Sequence, residues 1–282
     1  VEVFKSHDVK SGAWEPKNVF RSSGTTQTIS RAQHWMDDAG LAWYAQVSRL
    51  AWQAQWGGPV ADWAWLGLLP GYIGREDASL LTMVADFMGQ AGALEEGMLM
   101  HDHGELNARV TRHFEDPQSR PLMLFGVTWA ILDWLESLVN DRGWLDSVPW
   151  RHVTLIETGG MKGRGIEPIR EEVHARIKAV LPDIHVASEY GMTEMMSQGY
   201  AKDGIHHTFP CWVRPLVREP RDPRSSALKH RVGRLDIVDL ANVHSCAFLA
   251  TGDAANLTPK GLMLLGRQDH SEVRGCSLLA TP

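Results

Sequence analysis

Ile184-His-Val-Ala-Ser-Glu-Tyr-Gly-Met-Thr-Glu194 is the stretch on which the fold turns. Its opening, Ile184 to Ala187, reads as a short strand, and it runs directly into a polar loop centred on Gly191. The arrangement repeats upstream. Val153 to Glu157 is a second short, β-branched strand that leads into Thr158-Gly159-Gly160, and Glu167 to Leu181 between the two reads as a charged amphipathic helix. Leu122 to Val127 predicts a strand followed by a helix over Thr128 to Asn140. Trp63 to Leu69 predicts a buried strand closed by Pro70-Gly71, with a helix over Ser79 to Gln90. Repeated strand, polar loop and helix is the pattern of an α/β sheet that carries its ligand loops at the carboxyl ends of the strands.

Outside this unit the chain changes character. Val1 to Phe20 reads as short β-like pieces, Val1 itself within a strand, and Arg21-Ser-Ser-Gly-Thr-Thr-Gln27 as a polar loop. Ser30 to Trp56 predicts one long helix stopped by Gly57-Gly58, and His113 to Pro121 a polar connector. After Gln198 the segments are β-like: Trp212 to Val217, Arg234 to Val238, Cys246 to Ala250 and Leu262 to Leu265. A proline-rich, basic loop from Arg218 to Ser226 lies between the first two. The expected division is an α/β core over 1–205 and a smaller β-rich part over 206–282.

Composition removes several function classes. The 282 residues carry 28 Lys+Arg against 34 Asp+Glu, a net charge of −6, so no global basic field points to nucleic acid or an anionic membrane. Three cysteines cannot form a disulfide framework and fit a reducing, cytoplasmic compartment. The longest apolar run, Pro121 to Leu132, is shorter than the roughly 18 residues a spanning helix requires, so no membrane span is expected. A start on Val1 instead of Met suggests a trimmed beginning. The 12 tryptophans ask for a deep apolar core or the wall of an apolar tunnel.

The loops carry the chemistry. In Ser22-Ser-Gly-Thr-Thr26 a glycine among hydroxyl residues lets N–H and O–H groups converge on phosphate oxygens, although a Ser/Thr/Gly loop is also an ordinary turn. It is not a Walker loop, because no Gly-Lys-Ser/Thr follows. Glu157-Thr-Gly-Gly160 and Ser188-Glu-Tyr-Gly-Met-Thr-Glu194 offer close backbone approach, a Tyr190 ring for stacking, a Thr193 hydroxyl for phosphate and a Glu194 carboxylate for a hard cation. In Thr251-Gly-Asp253 the carboxylate can accept from two vicinal hydroxyls, and Leu265-Gly-Arg267 follows it. His101-Asp-His103 has the residue types of a metal site without further clustered ligands.

In this order, the Ser/Thr/Gly loop, Tyr-Gly-Met-Thr-Glu, Thr-Gly-Asp, Gly-Arg and Arg274-Gly275 resemble the adenylate-forming superfamily of acyl-CoA synthetases and related ligases. Phe4-Lys-Ser-His7, Glu157-Thr-Gly-Gly-Met-Lys-Gly-Arg164 and Arg274-Gly-Cys276 narrow the likeness to the acyl-protein synthetase (LuxE-like) family. That resemblance implies the N-terminal-domain fold of adenylate-forming enzymes, with mixed β-sheets, flanking helices, a smaller β subdomain and no large C-terminal lid domain. It implies ATP and Mg²⁺ as cofactors, a carboxylic acid of the fatty-acid class as substrate, and an acyl-accepting partner protein such as a reductase. By the same likeness Ser22, Ser23, Gly24, Thr25 and Thr26 hold phosphates, Gly159 and Gly160 line the adenine pocket, and Glu189, Tyr190 and Gly191 frame the base. Thr193 touches the α-phosphate, Glu194 binds Mg²⁺, and Asp253 with Arg267 grips the ribose. Cys276 is the candidate acyl carrier, or a packing residue; Lys162, with Arg164, is the candidate for the work of the lid's lysine, or a solvated helix start. The implied reaction is AMP-forming activation of the acid, then acyl transfer to a protein thiol. A CoA ligase or a non-catalytic nucleotide- or acyl-binding subunit are the alternatives. Gln27 departs from the family pattern, which has glycine there.

Overall fold

The structure, a computed structural model, describes residues 1–22, 31–69, 77–93, 97–99, 102–159, 168–220, 222 and 224–267. The chain begins as a 3-10 turn, Glu2–Lys5, that buries Phe4, where a strand was expected. Strands β1 (Asn18–Arg21) and β2 (Gln33–Met36) pair as an antiparallel hairpin with Val19 opposite Trp35. The long helix therefore starts later than the apolar pattern predicts, as α1 (Asp38–Trp56). Asp37 is the reason. Its carboxylate accepts the Gly40 amide at 2.7 Å and caps the helix, which leaves the residues before it extended; Gly57, at φ 84°, closes the other end.

The central sheet is built from β3 (Ala64–Leu68), followed by α2 (Ser79–Gln90) and α3 (His103–Glu115), then β4 (Leu122–Gly126) with α4 (Thr128–Leu138) and α5 (Arg142–Ser147). It continues with β5 (Val153–Glu157), α6 (Arg170–Val180), β6 (His185–Tyr190) and β7 (Gly199–Ala201). The strand order is β3-β4-β5-β6-β7, parallel up to β6, with β7 antiparallel at the edge. Every residue of β4 is buried, as expected of a parallel strand covered on both faces. Helix α3 falls where a polar loop and connector were expected. Asp102 caps it by accepting the Glu105 amide at 2.8 Å, so the aspartate of the His-Asp-His stretch serves the helix; His101 lies outside the described residues.

The tryptophans resolve mostly as core. Trp52 is fully buried, stacked on Trp56 at 4.7 Å and in edge contact with Trp63, Trp65, Phe87 and Tyr200. Side chains fill this space on all sides, so Trp52 and Trp65 belong to packing and not to a tunnel wall.

A second sheet collects β8 (His206–His207), β9 (Val213–Arg218), β10 (Val232–Asp239), β11 (Phe248–Thr258) and β12 (Gly261–Arg267) in the order β8-β12-β11-β10-β9, all antiparallel. Its own core gathers Val217, Leu235, Ile237, Leu249 and Leu262, and draws in Phe4, Ala32 and Met195 from earlier in the chain. Cys246 was expected inside a buried strand. It is half-buried and lies two residues ahead of β11. No helix among the described residues is long and apolar enough to cross a membrane.

Candidate functional site

The carboxyl ends of β5 and β6 lie side by side, with Glu157 paired in register with Ser188. Glu157 is 3% exposed, and Oε1 accepts from the Thr128 hydroxyl at 2.7 Å and from the Gly159 amide at 2.6 Å. On the other side Oε2 has Arg170 Nε at 3.6 Å and His174 Nε2 at 3.9 Å. Burial by itself raises this carboxyl, but His174, Arg170 and the two hydrogen bonds outweigh it and hold the group at about 2. A permanently charged carboxylate thus fixes the turn into the glycine segment. Gly159 takes φ 75°, a left-handed conformation that favours glycine.

Thr158 points the other way, donating to Glu189 Oε2 at 2.6 Å. Burial, with the Glu157 charge adding to it, raises Glu189 to about 7 against the opposing Thr158 hydrogen bond. Two neighbouring carboxyls therefore have widely separated protonation ranges. Gly191 accommodates the second, since a Cβ there would meet Glu189 Oε1 at 2.6 Å. Tyr190 is half-buried, with ring edges of His207 and Phe209 at 6.2 and 6.3 Å, and its hydroxyl donates to Asp253 Oδ2 at 2.7 Å. Asp253 stands opposite Arg267 in the β11–β12 ladder, Oδ1 3.8 Å from the guanidinium Nε, and the Arg267 side chain is 88% exposed. The structure thus brings Gly159, Glu189, Tyr190, Asp253 and Arg267 together across the two sheets.

Thr193 and Glu194 lie on the turn between β6 and β7, and that turn is held from outside. The Thr193 carbonyl is 2.9 Å from His34 Nδ1, the Glu194 carbonyl accepts from Asn242 Nδ2 at 2.7 Å, and Asp239 accepts the amides of Met196 and Ser197 at 2.9 and 3.0 Å. Burial lowers the His34 pKa, so the ring is neutral near pH 7. The Glu194 side chain is 6% exposed as a residue and has no ion-pair partner among the described residues. Its pKa is raised by burial, opposed first by a hydrogen bond from its own backbone amide and then by the charges of the N-terminus, Arg267 and Lys5. A buried carboxylate without an ion-pair partner among the described residues has the chemistry to hold a hard cation of the Mg²⁺ type.

Ser22 closes the mouth of the first loop: its amide donates to the Ala32 carbonyl and its hydroxyl accepts from the Ala32 amide, each at 3.0 Å. Ser23, Gly24, Thr25, Thr26, Gly160, Lys162, Arg164 and Cys276 lie outside the described residues. Sequence reasoning assigned no role to Glu157, His34, Asn242 or Asp239. For Glu157 a signal exists, a lone carboxylate ending an apolar parallel strand. For His34 there is none, because its partner is 159 positions away.

The fold matches a solved long-chain-fatty-acid-CoA ligase from Archaeoglobus fulgidus with a TM-score of 0.56, over 90% of this chain and 52% of that one, at 13% identity. The chain spans about half the length of that ligase. No protein-family model and no curated protein matches it. At this identity the likeness establishes fold alone: a mixed α/β architecture of several sheets, shared with a protein named as a long-chain-fatty-acid-CoA ligase.

Proposed function

We propose that the chain activates a carboxylic acid, of the fatty-acid class, by AMP transfer from ATP, as an acid–thiol ligase of the adenylate-forming superfamily. The observation that supports this most is the joining of the two sheets at Tyr190 and Asp253. Tyr190 at the end of a parallel strand donates to Asp253 of the antiparallel sheet, and Thr193 and Glu194 lie on the turn that follows it. Together with the likeness in fold to a long-chain-fatty-acid-CoA ligase, this juxtaposition supports reading the seam as a nucleotide site.

In this reading the Tyr190 ring supports the base, and Gly159 lets the backbone approach it. Asp253 Oδ1, left over from the tyrosine bond, accepts from a ribose hydroxyl, with Arg267 beside it. The Thr193 hydroxyl and the loop beginning at Ser22 hold phosphate oxygens, and Glu194 would hold Mg²⁺, which supplies charge neutralisation at the phosphates. A carboxylate oxygen of the acid attacks the α-phosphorus, the bond from it to the β-phosphate bridge breaks, and pyrophosphate leaves. The protein's contribution is alignment of two anions that repel each other. In the second step a thiolate attacks the acyl carbonyl and AMP departs.

For the acceptor we propose a protein thiol of the acyl-protein synthetase type, with Cys276 as the carrier and Lys162 as an assisting cation. The likeness in fold to a long-chain-fatty-acid-CoA ligase supports CoA as the second reading. The experiment is pyrophosphate release with a panel of saturated fatty acids. The expected outcome is acid-dependent release that falls about 100-fold in Glu194→Gln; release that is absent from the folded wild type with every acid overturns the proposal. Acyl label on denatured protein that hydroxylamine removes identifies a protein thioester, and CoA-dependent AMP release identifies CoA.

A further inference from the structure

We infer that His34 is a positioning residue for the turn that carries Thr193 and Glu194; this rests on the adenylation reading above. His34 sits on β2, two residues beyond Ala32, where Ser22 closes the first loop. It is fully buried, with the Phe4 ring edge-on at 5.9 Å, so its orientation is fixed by packing. A carbonyl can only accept, so the Nδ1 that lies 2.9 Å from the Thr193 oxygen carries the proton and donates. Nε2 then faces the Ser245 hydroxyl at 3.1 Å. The same hydroxyl lies 2.7 Å from Asn242 Oδ1, and its single proton serves one of the two acceptors at a time.

Asn242 completes the path by donating to the Glu194 carbonyl at 2.7 Å. Two consecutive carbonyls of the turn, those of Thr193 and Glu194, are therefore gripped by one side-chain cluster in which His34 comes from β2 and Asn242 and Ser245 from the segment between β10 and β11. A free turn would move by rotating these peptide planes. The cluster blocks that rotation, so the backbone that carries the Thr193 hydroxyl and the Glu194 carboxyl keeps one orientation, which a cation shared between that carboxylate and the phosphates of ATP requires.

The test compares ATP binding with and without Mg²⁺, by calorimetry, alongside pyrophosphate release, in the wild type, His34→Ala, His34→Asn and Ser245→Ala. In His34→Ala the Mg²⁺-dependent gain in ATP affinity is expected to fall about tenfold, with affinity for ATP alone unchanged within about twofold. His34→Asn, which keeps a donor near the Nδ1 position, is expected to restore most of the gain. A purely structural role would not separate the two affinities or be rescued by asparagine. If His34→Ala does not fold, Ser245→Ala carries the test, with an expected loss of about threefold in the same quantity. An unchanged Mg²⁺-dependent gain in a folded His34→Ala, or in Ser245→Ala when that variant carries the test, overturns the inference while leaving the adenylation reading intact. A wild type without acid-dependent pyrophosphate release overturns that reading, and the inference with it.

Discussion

Glu157 and Glu189 show how neighbouring residues of one type acquire opposite properties. The first is ringed by His174, Arg170, Thr128 and the Gly159 amide, and stays charged down to about 2. The second is buried, and the Thr158 hydroxyl and the Arg170 charge only partly oppose burial and the nearby Glu157 charge, so it is raised to about 7. For a carboxyl raised on folding, the native state binds more protons than the unfolded chain between the ordinary value of 4.5 and about 7. Stability is therefore lost as pH rises through that window. Glu189→Gln keeps the acceptor for Thr158 and removes the titration, so its melting temperature relative to wild type should rise between pH 5 and pH 8. Thermal scans check this, and a difference that stays flat or falls contradicts it. Glu157 works in the opposite sense, its contribution being lost only as pH falls from 4.5 toward about 2. Tyr190→Phe deletes the hydroxyl bond to Asp253 and should cost about 1 kcal/mol in denaturant unfolding while weakening ATP binding. Of these residues, Tyr190, Thr193, Glu194 and Asp253 were legible in the sequence because each sits in a short local pattern. The partners that tune and hold them were not, since burial and long-range hydrogen bonds leave no periodic trace.

At the scale of elements, the strands of the parallel sheet were legible because each is a brief apolar run bounded by glycine or polar residues, and α2 falls where its pattern placed it. The failures share a cause. Ser30 to Trp56 has helical spacing throughout, yet pairing of β2 with β1 and the Asp37 cap override that spacing over the first residues. Around His103 a glycine at position 104 suggested a loop, but the Asp102 cap and the buried Leu106 and Val110 stripe make a helix. In the antiparallel sheet, Gly233 marks where two strands come closest: a Cβ there would lie 2.3 Å from the Arg218 backbone oxygen and 2.9 Å from Val217. Backbone cannot yield as a side chain does, so Gly233→Ala should destabilise the protein by about 2 kcal/mol, measured by chemical denaturation. A loss indistinguishable from zero would mean that β9 and β10 are not paired in this register.

For the whole molecule, the proposed function rests on how two sheets with separate cores meet. Asp253 and Tyr190 join them directly, while Asp239 and Asn242 of the antiparallel layer hold the turn of the parallel layer. The candidate site is the seam, and its residues come from sequence positions as far apart as His34 and Arg267. That seam explains why local motifs in the sequence pointed to nucleotide chemistry, whereas their assembly became visible only in three dimensions. The most direct measurement is a crystal structure of the protein soaked with a non-hydrolysable acyl-adenylate analogue. The account predicts adenine against the Tyr190 ring, ribose hydroxyls on Asp253 and the phosphate mimic at Thr193. An analogue bound away from the seam, with Tyr190 and Asp253 untouched, would contradict it.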